Sequence, residues 1–299
     1  MPVNAGPIKA ADLLWAVDDS PEWGSRTLDL DAYFARVGYD GPRSAAFEVL
    51  RRLHRAHMST ICFENVDIAL GREVRIDLES IQRKLVRAGR GGYCYENNLL
   101  FAAALDRLGF PVTRLLARIR EGDTRRRARS HTCLLVKADG VVWLADPGYG
   151  HAGLIEPIPL AEGATSTVAG WTWQLGVDDG HWVLRCLRAG AWFDLYAFRP
   201  EPQYEVDFQA AHYCSSTRPG SPFVGRLIVQ RGSERARHLL RDQVLVTEYP
   251  DGRSRRTVLS AEDVPRNLRE TFGTALTGEE ERLLTRFLLA RTGAVRRSP

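Results

Sequence analysis

Long apolar runs are missing from this 299-residue chain. No stretch approaches the ~18 apolar residues of a membrane span, so no transmembrane helix is predicted. The opening Met1-Pro2-Val3-Asn4 lacks the basic, apolar, then small-residue order of a secretory signal. The expectation is a cytoplasmic protein. Cys-x-x-Cys pairs are missing as well. The five cysteines, Cys62, Cys94, Cys133, Cys186 and Cys214, are scattered and odd in number. That is a poor disulfide framework and suits a reducing compartment. His54 and His57 stand three apart, and His131 and Cys133 two apart. Neither pair has two further ligands nearby, so no metal is expected. Internal repeats and low-complexity segments are absent.

Strong one-signed charge is also lacking: 41 Lys and Arg against 37 Asp and Glu give a net charge of +4. The densest basic run, Arg125-Arg126-Arg127-Ala128-Arg129, has no interleaved aromatics and no nucleic-acid motif beside it. It reads as solvated loop, as do Arg253, Arg255 and Arg256, so neither nucleic acid nor membrane is expected as a partner. An anionic small molecule, such as a phosphate-bearing cofactor, suits the same charge. With 44% hydrophobic and 26% charged residues, the composition is that of a globular protein of two or three subdomains.

What is present is ordered along the chain. Residues 1–27 form an arm, with Trp15 and Trp23 to tack it down. Residues 28–111 carry helical spacing: Leu28–Val37 ended by Gly38, Pro42–His57, a short apolar stretch Ile61–Leu70, Leu78–Val86, and a helix after Cys94. Residues 112–209 switch to period two. Strands are predicted at Val112–Ile119, Thr132–Lys137, Val141–Ala145, Trp171–Leu175, His181–Arg188 and Trp192–Phe198, an antiparallel meander closing into a small barrel. In residues 210–299, Ala211–Phe223 reads as a loop of small hydroxylated and turn-forming residues. Strands at Leu227–Gln230, Gln243–Tyr249 and Arg255–Leu259 follow, then helices at Ala261–Phe272 and Gly278–Ala290.

The chemistry centres on Arg90-Gly91-Gly92-Tyr93-Cys94-Tyr95-Glu96-Asn97-Asn98. The glycines let the backbone turn sharply. Leu99, Leu100, Ala103, Ala104 and Leu108 then recur at helical spacing. Cys94 thus stands at a helix N-terminus, where the macrodipole and free N–H groups favour a thiolate. Taken alone, a free cysteine is more often a small buried hydrophobe. A second element supplies partners. Asp139-Gly140 is a strong two-residue hairpin signal. If it is the turn, paired positions sum to 279, and His131 and Asp146 become diagonal neighbours on one face near the open end. A one-residue slip would separate them. Singly, His131 also reads as a satisfied sheet histidine and Asp146 as a turn residue. Together with Cys94 they are the parts of an activated thiol nucleophile.

These stretches resemble the arylamine N-acetyltransferases. The match includes residues 90–98, Phe63-Glu64-Asn65, Ser130–Val136, Asp146-Pro147-Gly148-Tyr149-Gly150, and Ser216–Phe223, in order across roughly residues 28–290. The resemblance implies an α+β protein: an N-terminal helical bundle, a central antiparallel β-barrel and a C-terminal α/β lid around a cysteine-protease-like Cys-His-Asp core. It implies a catalytic triad of Cys94, His131 and Asp146 and ping-pong transfer of an acetyl group. Acetyl-coenzyme A is the co-substrate, none bound permanently, and an arylamine or hydrazine is the acceptor. It assigns the acceptor pocket to Phe63, Tyr149 and Phe223, and the coenzyme to Ser216, Thr217, Arg218, Gly220 and Ser221. Glu64 and Arg90 are expected to pair and brace the nucleophile loop.

Departures fall near the substrate. Cys62 stands where proline is usual, Pro147 for valine, Tyr149 for phenylalanine and Arg218 for histidine. They suit an alternative within the same chemistry. In that reading an amide synthase releases a polyketide acyl chain from an acyl carrier protein by amide or macrolactam formation. The intact triad argues against a dormant binding module, and the five motifs argue against a papain-like or transglutaminase-like hydrolase.

Overall fold

Local caps and apolar spacing set the first layer of the computed structural model, which describes residues 21–295 except 124 and 126. Trp15 lies outside the described residues. Trp23 does tack the arm down: its ring meets Phe208 edge-on at 5.2 Å. Helix α1 (Leu30–Val37) starts where the Asp29 side chain accepts the Ala32 N–H, and stops at left-handed Gly38. Helix α2 (Phe47–Thr60) is followed by the short strand β1 (Phe63–Glu64) and one turn, α3 (Val66–Ala69). Helix α4 (Leu78–Ile81) is capped by Asp77 and runs on into a π-helical turn, Gln82–Arg87. Helix α5 (Cys94–Arg107) is buried along its first three turns. Leu50, Leu53, Ile81, Leu85, Leu100 and Phe101 fill the core between these helices.

The second layer is an eight-stranded antiparallel sheet. Its strands are β2 (Val112–Ile119), β3 (His131–Ala138), β4 (Val141–Ala145), β5 (Ile158–Pro159), β6 (Thr165–Val168), β7 (Trp171–Asp178), β8 (His181–Arg188) and β9 (Ala191–Phe198). The spatial order is β5-β4-β3-β2-β9-β8-β7-β6. The sheet curls into a nearly closed barrel around Trp173, Leu184, Leu195 and Tyr196. The segment 160–164 spans the gap: Leu160 N–H bonds to Val142 and Gly163 N–H to Leu175. Asp139 and Gly140 both adopt positive φ, as a two-residue turn requires. Ala138 faces Val141 and Leu134 faces Ala145, the register that sums to 279.

The third layer holds α6 (Glu205–Thr217), β10 (Ile228–Arg231), β11 (Arg237–Arg241), β12 (Val244–Glu248), β13 (Ser254–Val258), α7 (Asp263–Glu270) and α8 (Gly278–Val295). Strand β1 pairs with β10 and so joins this sheet from the helical layer. Strand β11, Arg-His-Leu-Leu-Arg, lacks alternation and was not legible in the sequence.

One expectation is corrected. Ala211–Thr217 is helix, not loop. Asp207 accepts the Tyr204 N–H at the helix start, and Phe208, His212 and Ser215 point inward at i, i+4 and i+7. The hydroxyls of Ser215, Ser216 and Thr217 bond back to the carbonyls four residues earlier, so small polar residues finish the helix. Among the described residues no helix is long and apolar enough to cross a membrane.

Candidate active site

Backbone contacts, not backbone torsion, explain the two glycines before Cys94. Neither Gly91 nor Gly92 has positive φ. A Cβ on Gly91 would lie 2.8 Å from the Cys62 sulfur, and one on Gly92 would lie 2.9 Å from Cβ of Glu96. The loop is pressed between β1 and the first turn of α5. Gly92 N–H bonds to Cys62 and Gly92 carbonyl accepts from Glu64 N–H at 3.0 Å.

Charges lock this loop. Arg90 holds Glu64 at 2.7 Å, as expected, and also Glu280 at 2.7 Å and Asp67 at 3.3 Å. Lys84, from the π-helical turn, reaches Glu96 and Asp67 at 2.9 Å each. Glu96 in turn accepts the Tyr93 N–H at 3.0 Å, closing the helix start from the inside. Burial raises the Glu96 carboxyl above its ordinary value even beside Lys84. Lys84 is raised in spite of burial, because Glu96, Glu64 and Asp67 surround it.

The Cys94 thiol sits 3.9 Å from the carbonyl of Ser130 and receives the N–H of Thr132, the two backbone groups that flank His131. Burial pushes this thiol well above its ordinary value, and the Asp146 charge pushes the same way. The amides of Cys94, Tyr95 and Thr132 pull it down but do not prevail. The amides at the helix start thus act in the direction expected from sequence, against burial.

His131 and Asp146 meet where the hairpin register puts them. His131 Nε2 lies 2.7 Å from Asp146 Oδ2, with both side chains buried. Three groups fix the aspartate. Asn98 donates to Oδ1 at 2.9 Å, Gly148 N–H to the same oxygen at 3.2 Å, and the Asp146 N–H itself bonds to His54 Nε2 at 3.1 Å. His54 Nδ1 then donates to Ile155 at 3.0 Å, which defines its tautomer. His57 bridges Tyr33 (2.9 Å) and Asn97 (3.0 Å), so both histidines of this pair serve protein partners. Asn98 was not singled out in the sequence. Its signal is position: four residues after Cys94, it shares the nucleophile's helix face.

A profile described as N-acetyltransferase matches residues 46–281. A solved Nocardia farcinica arylamine N-acetyltransferase superposes with a TM-score of 0.84 at 39% identity, covering 89% of this chain and 97% of that one. The Escherichia coli arylamine N-acetyltransferase is 34% identical over 224 residues, 75% of this chain and 80% of its own length. A Mycobacterium marinum arylamine N-acetyltransferase solved in complex with CoA matches with a TM-score of 0.81 at 31% identity, covering 87% and 99%. This chain belongs to the arylamine N-acetyltransferase family. It is an acyltransferase that works through a cysteine-bound acyl group.

In this arylamine N-acetyltransferase family member the expected pocket residues fall in two groups. Phe63 and Phe223 pack at 5.9 Å, held by Asn65, whose amide donates to the carbonyls of Phe223 and Arg226. Tyr149 sits instead against His131, rings 5.2 Å apart and near perpendicular. The expected coenzyme residues straddle the end of α6. The Ser216 and Thr217 hydroxyls bond within the helix, Ser221 bonds to the Ser215 carbonyl at 2.5 Å, Gly220 has φ of 85°, and Arg218 is exposed.

Proposed function

We propose that Cys94 is the nucleophile, His131 its general base and Asp146 the group that orients the imidazole, in an acetyl transfer from acetyl-coenzyme A to an arylamine or hydrazine. The reading rests on the buried 2.7 Å His131–Asp146 bond beside the Cys94 thiol, which lies against the backbone on either side of His131. With Nε2–H given to Asp146, Nδ1 is the ring's acceptor. The thiol proton passes to His131 as sulfur attacks the thioester carbonyl. The imidazolium, stabilised by Asp146, returns the proton to the departing coenzyme thiol, leaving acetyl on Cys94. The amine then attacks, its proton passes to His131, and the Cys94 thiol is restored.

The acceptor ring enters between the Phe63–Phe223 pair and Tyr149. The coenzyme's phosphates meet Arg218 and the turn through Gly220 and Ser221. The hydroxyls of Ser216 and Thr217, already bonded within the helix, hold that turn in shape rather than reaching the coenzyme. A second reading, a longer acyl chain brought by a carrier protein, draws on one observation: α6, which ends at this turn, exposes Tyr213 (68%). Five unpaired cysteines support a reducing compartment, the cytoplasm. Neither nucleic acid nor membrane is proposed as a partner.

The test is intact mass after incubation with acetyl-coenzyme A and no acceptor, followed by peptide mapping. One acetyl group on Cys94, discharged by an added arylamine, is the expected result. Acetyl elsewhere, or turnover retained in Cys94→Ala, overturns it. No acetyl, with acylation of Cys94 by a carrier-protein thioester, selects the second reading.

A further inference from the structure

The two residues that flank Cys94 lean on one helix. Tyr93 and Tyr95 are fully buried, with their ring centres 5.1 Å apart. Both pack against His212 of α6, each at 5.8 Å between ring centres, and Tyr95 also meets Phe208, one turn earlier, at 6.2 Å. The Tyr93 hydroxyl bonds to His212 Nδ1. His212 Nε2 lies 2.8 Å from the Val74 carbonyl, which can only accept, so Nε2 carries a proton. Burial lowers the imidazole below its ordinary value and leaves the ring neutral, with Nδ1 bare. Tyr93 therefore donates and His212 accepts. This buried histidine has no part in the acyl-transfer steps above.

The bond matters because of where Tyr93 stands. It is the extended residue just before α5, and its backbone sets the direction in which Cys94 leaves the loop. That backbone is held from within its own helix: Glu96 accepts the Tyr93 N–H at 3.0 Å, and the Tyr93 carbonyl accepts the Asn97 N–H at 3.1 Å. The hydroxyl adds a hold from outside, at the far end of the ring. Helix α6 is tied in turn to the proposed coenzyme turn. The Ser221 hydroxyl bonds to the Ser215 carbonyl, and the Phe223 ring meets that of Tyr93 edge-on at 5.8 Å. We infer that His212 is a positioning residue for acyl transfer: by holding the Tyr93 hydroxyl it fixes the Cys94 sulfur beside the backbone that flanks His131. It acts through Tyr93 and is not itself catalytic. A nucleophile displaced by about an ångström can lose on the order of a hundredfold in rate while the fold stays intact. The inference rests on Cys94 being the nucleophile.

The test is single-turnover acetylation of Cys94 in the full chain over a range of acetyl-coenzyme A. Tyr93→Phe and His212→Leu each strand one buried partner and should lower the saturating rate about tenfold. The half-saturating concentration should stay within about twofold, since the lost hold acts on sulfur and not on the coenzyme. The double variant should lose no more than either single, because both remove one bond. His212→Asn should restore most of the rate: its amide oxygen can replace Nδ1 as acceptor, although it gives up Val74. A raised half-saturating concentration at an unchanged saturating rate overturns the inference, because α6 would then shape the coenzyme turn alone. So do additive losses, or His212→Asn no faster than His212→Leu. If the leucine variant does not fold, Tyr93→Phe and His212→Asn decide. Alkylation of Cys94 by iodoacetamide needs neither donor nor acceptor and should rank the variants in the same order; equal alkylation rates overturn the inference. A wild-type Cys94 that takes no acetyl rejects the catalytic reading instead, and the alkylation ranking then decides this inference by itself.

Discussion

The two ends of the proposed site are built in opposite ways. Around Cys94 the groups are buried and cross-linked between layers: Asn98 from α5, His131 from β3, Asp146 after β4 and His54 from α2 all converge on one carboxylate or its neighbours. At the coenzyme turn the side chains of Ser216, Thr217 and Ser221 bond only to backbone of their own segment, and Arg218 is exposed. The first end has one geometry, in which each side chain bonds to a group from another segment of the chain. The second can exchange side chains while its backbone stays; of the four motif departures Arg218 lies there, whereas Cys62, Pro147 and Tyr149 lie beside the nucleophile loop, Asp146 and His131. Reaction type is therefore the firmer inference from such a chain, and substrate choice the looser one.

The sharpest break of the buried end is Asp146→Asn. The amide cannot both accept from Asn98 and Gly148 and stabilise a charged His131, so acyl transfer should fall on the order of 10³–10⁴-fold. Single-turnover acetylation of Cys94 measures it, and rates near wild type would mean another group orients His131. Arg90→Met comes next, through stability. It leaves Glu64, fully buried, with Lys84 at 4.0 Å as its remaining cation and the Val66 N–H as a neutral donor, so unfolding free energy should drop by about 3–5 kcal/mol in a urea titration. Asn98→Ala removes a donor to a charged acceptor and should reduce acetylation roughly 10–100-fold. A loss in rate without loss of stability would mark it as a positioning residue.

Why this end was legible follows from the same residues. The Asp139-Gly140 turn carries its own register, so His131 and Asp146 could be placed together from arithmetic alone. The Cys94 helix start was legible from leucine spacing. The burial of Cys94 was not, because a helix end is a local feature while burial is set by the packing of β3 against α5. The purpose of Gly91 and Gly92 was misread for that reason too: the contact they permit is with Cys62 and with Glu96, not a turn of their own. At the exposed end, serine and threonine in Ala211–Thr217 suggested loop, since their hydroxyls compete with backbone. Here they bond to the helix's own carbonyls, and the inward spacing of Phe208, His212 and Ser215 is the signal that composition obscured.

The buried histidines give a gentler handle on the comparison. Burial lowers His54 to about 4 and His57 to about 3, from an ordinary 6.5. The unfolded chain takes up these protons at higher pH than the folded one. Their contribution is therefore full above about pH 6.5 and is lost as pH falls toward about 4 for His54 and about 3 for His57. Denaturation midpoints should decline across that window, and His57→Gln should flatten the decline by about one proton. An unchanged slope in the variant would place the acid sensitivity elsewhere.

The smallest effect should come from the exposed end. Ser216→Ala and Thr217→Ala each remove a hydroxyl that already bonds to a carbonyl four residues back. Those carbonyls lie in a helix and keep their backbone partners, so nothing buried is stranded. Each variant should leave the KM for acetyl-coenzyme A within about twofold, as expected for surface changes of about 0.5 kcal/mol or less. Arg218→Ala, which removes the exposed charge at the same turn, should raise that KM more than either, and the excess should shrink as salt is added. If the hydroxyl variants weaken the coenzyme more than Arg218→Ala does, α6 must release its last turn to bind. The exposed end would then be a moving part, and its contrast with the rigid Cys94 end would be one of mechanics as well as burial.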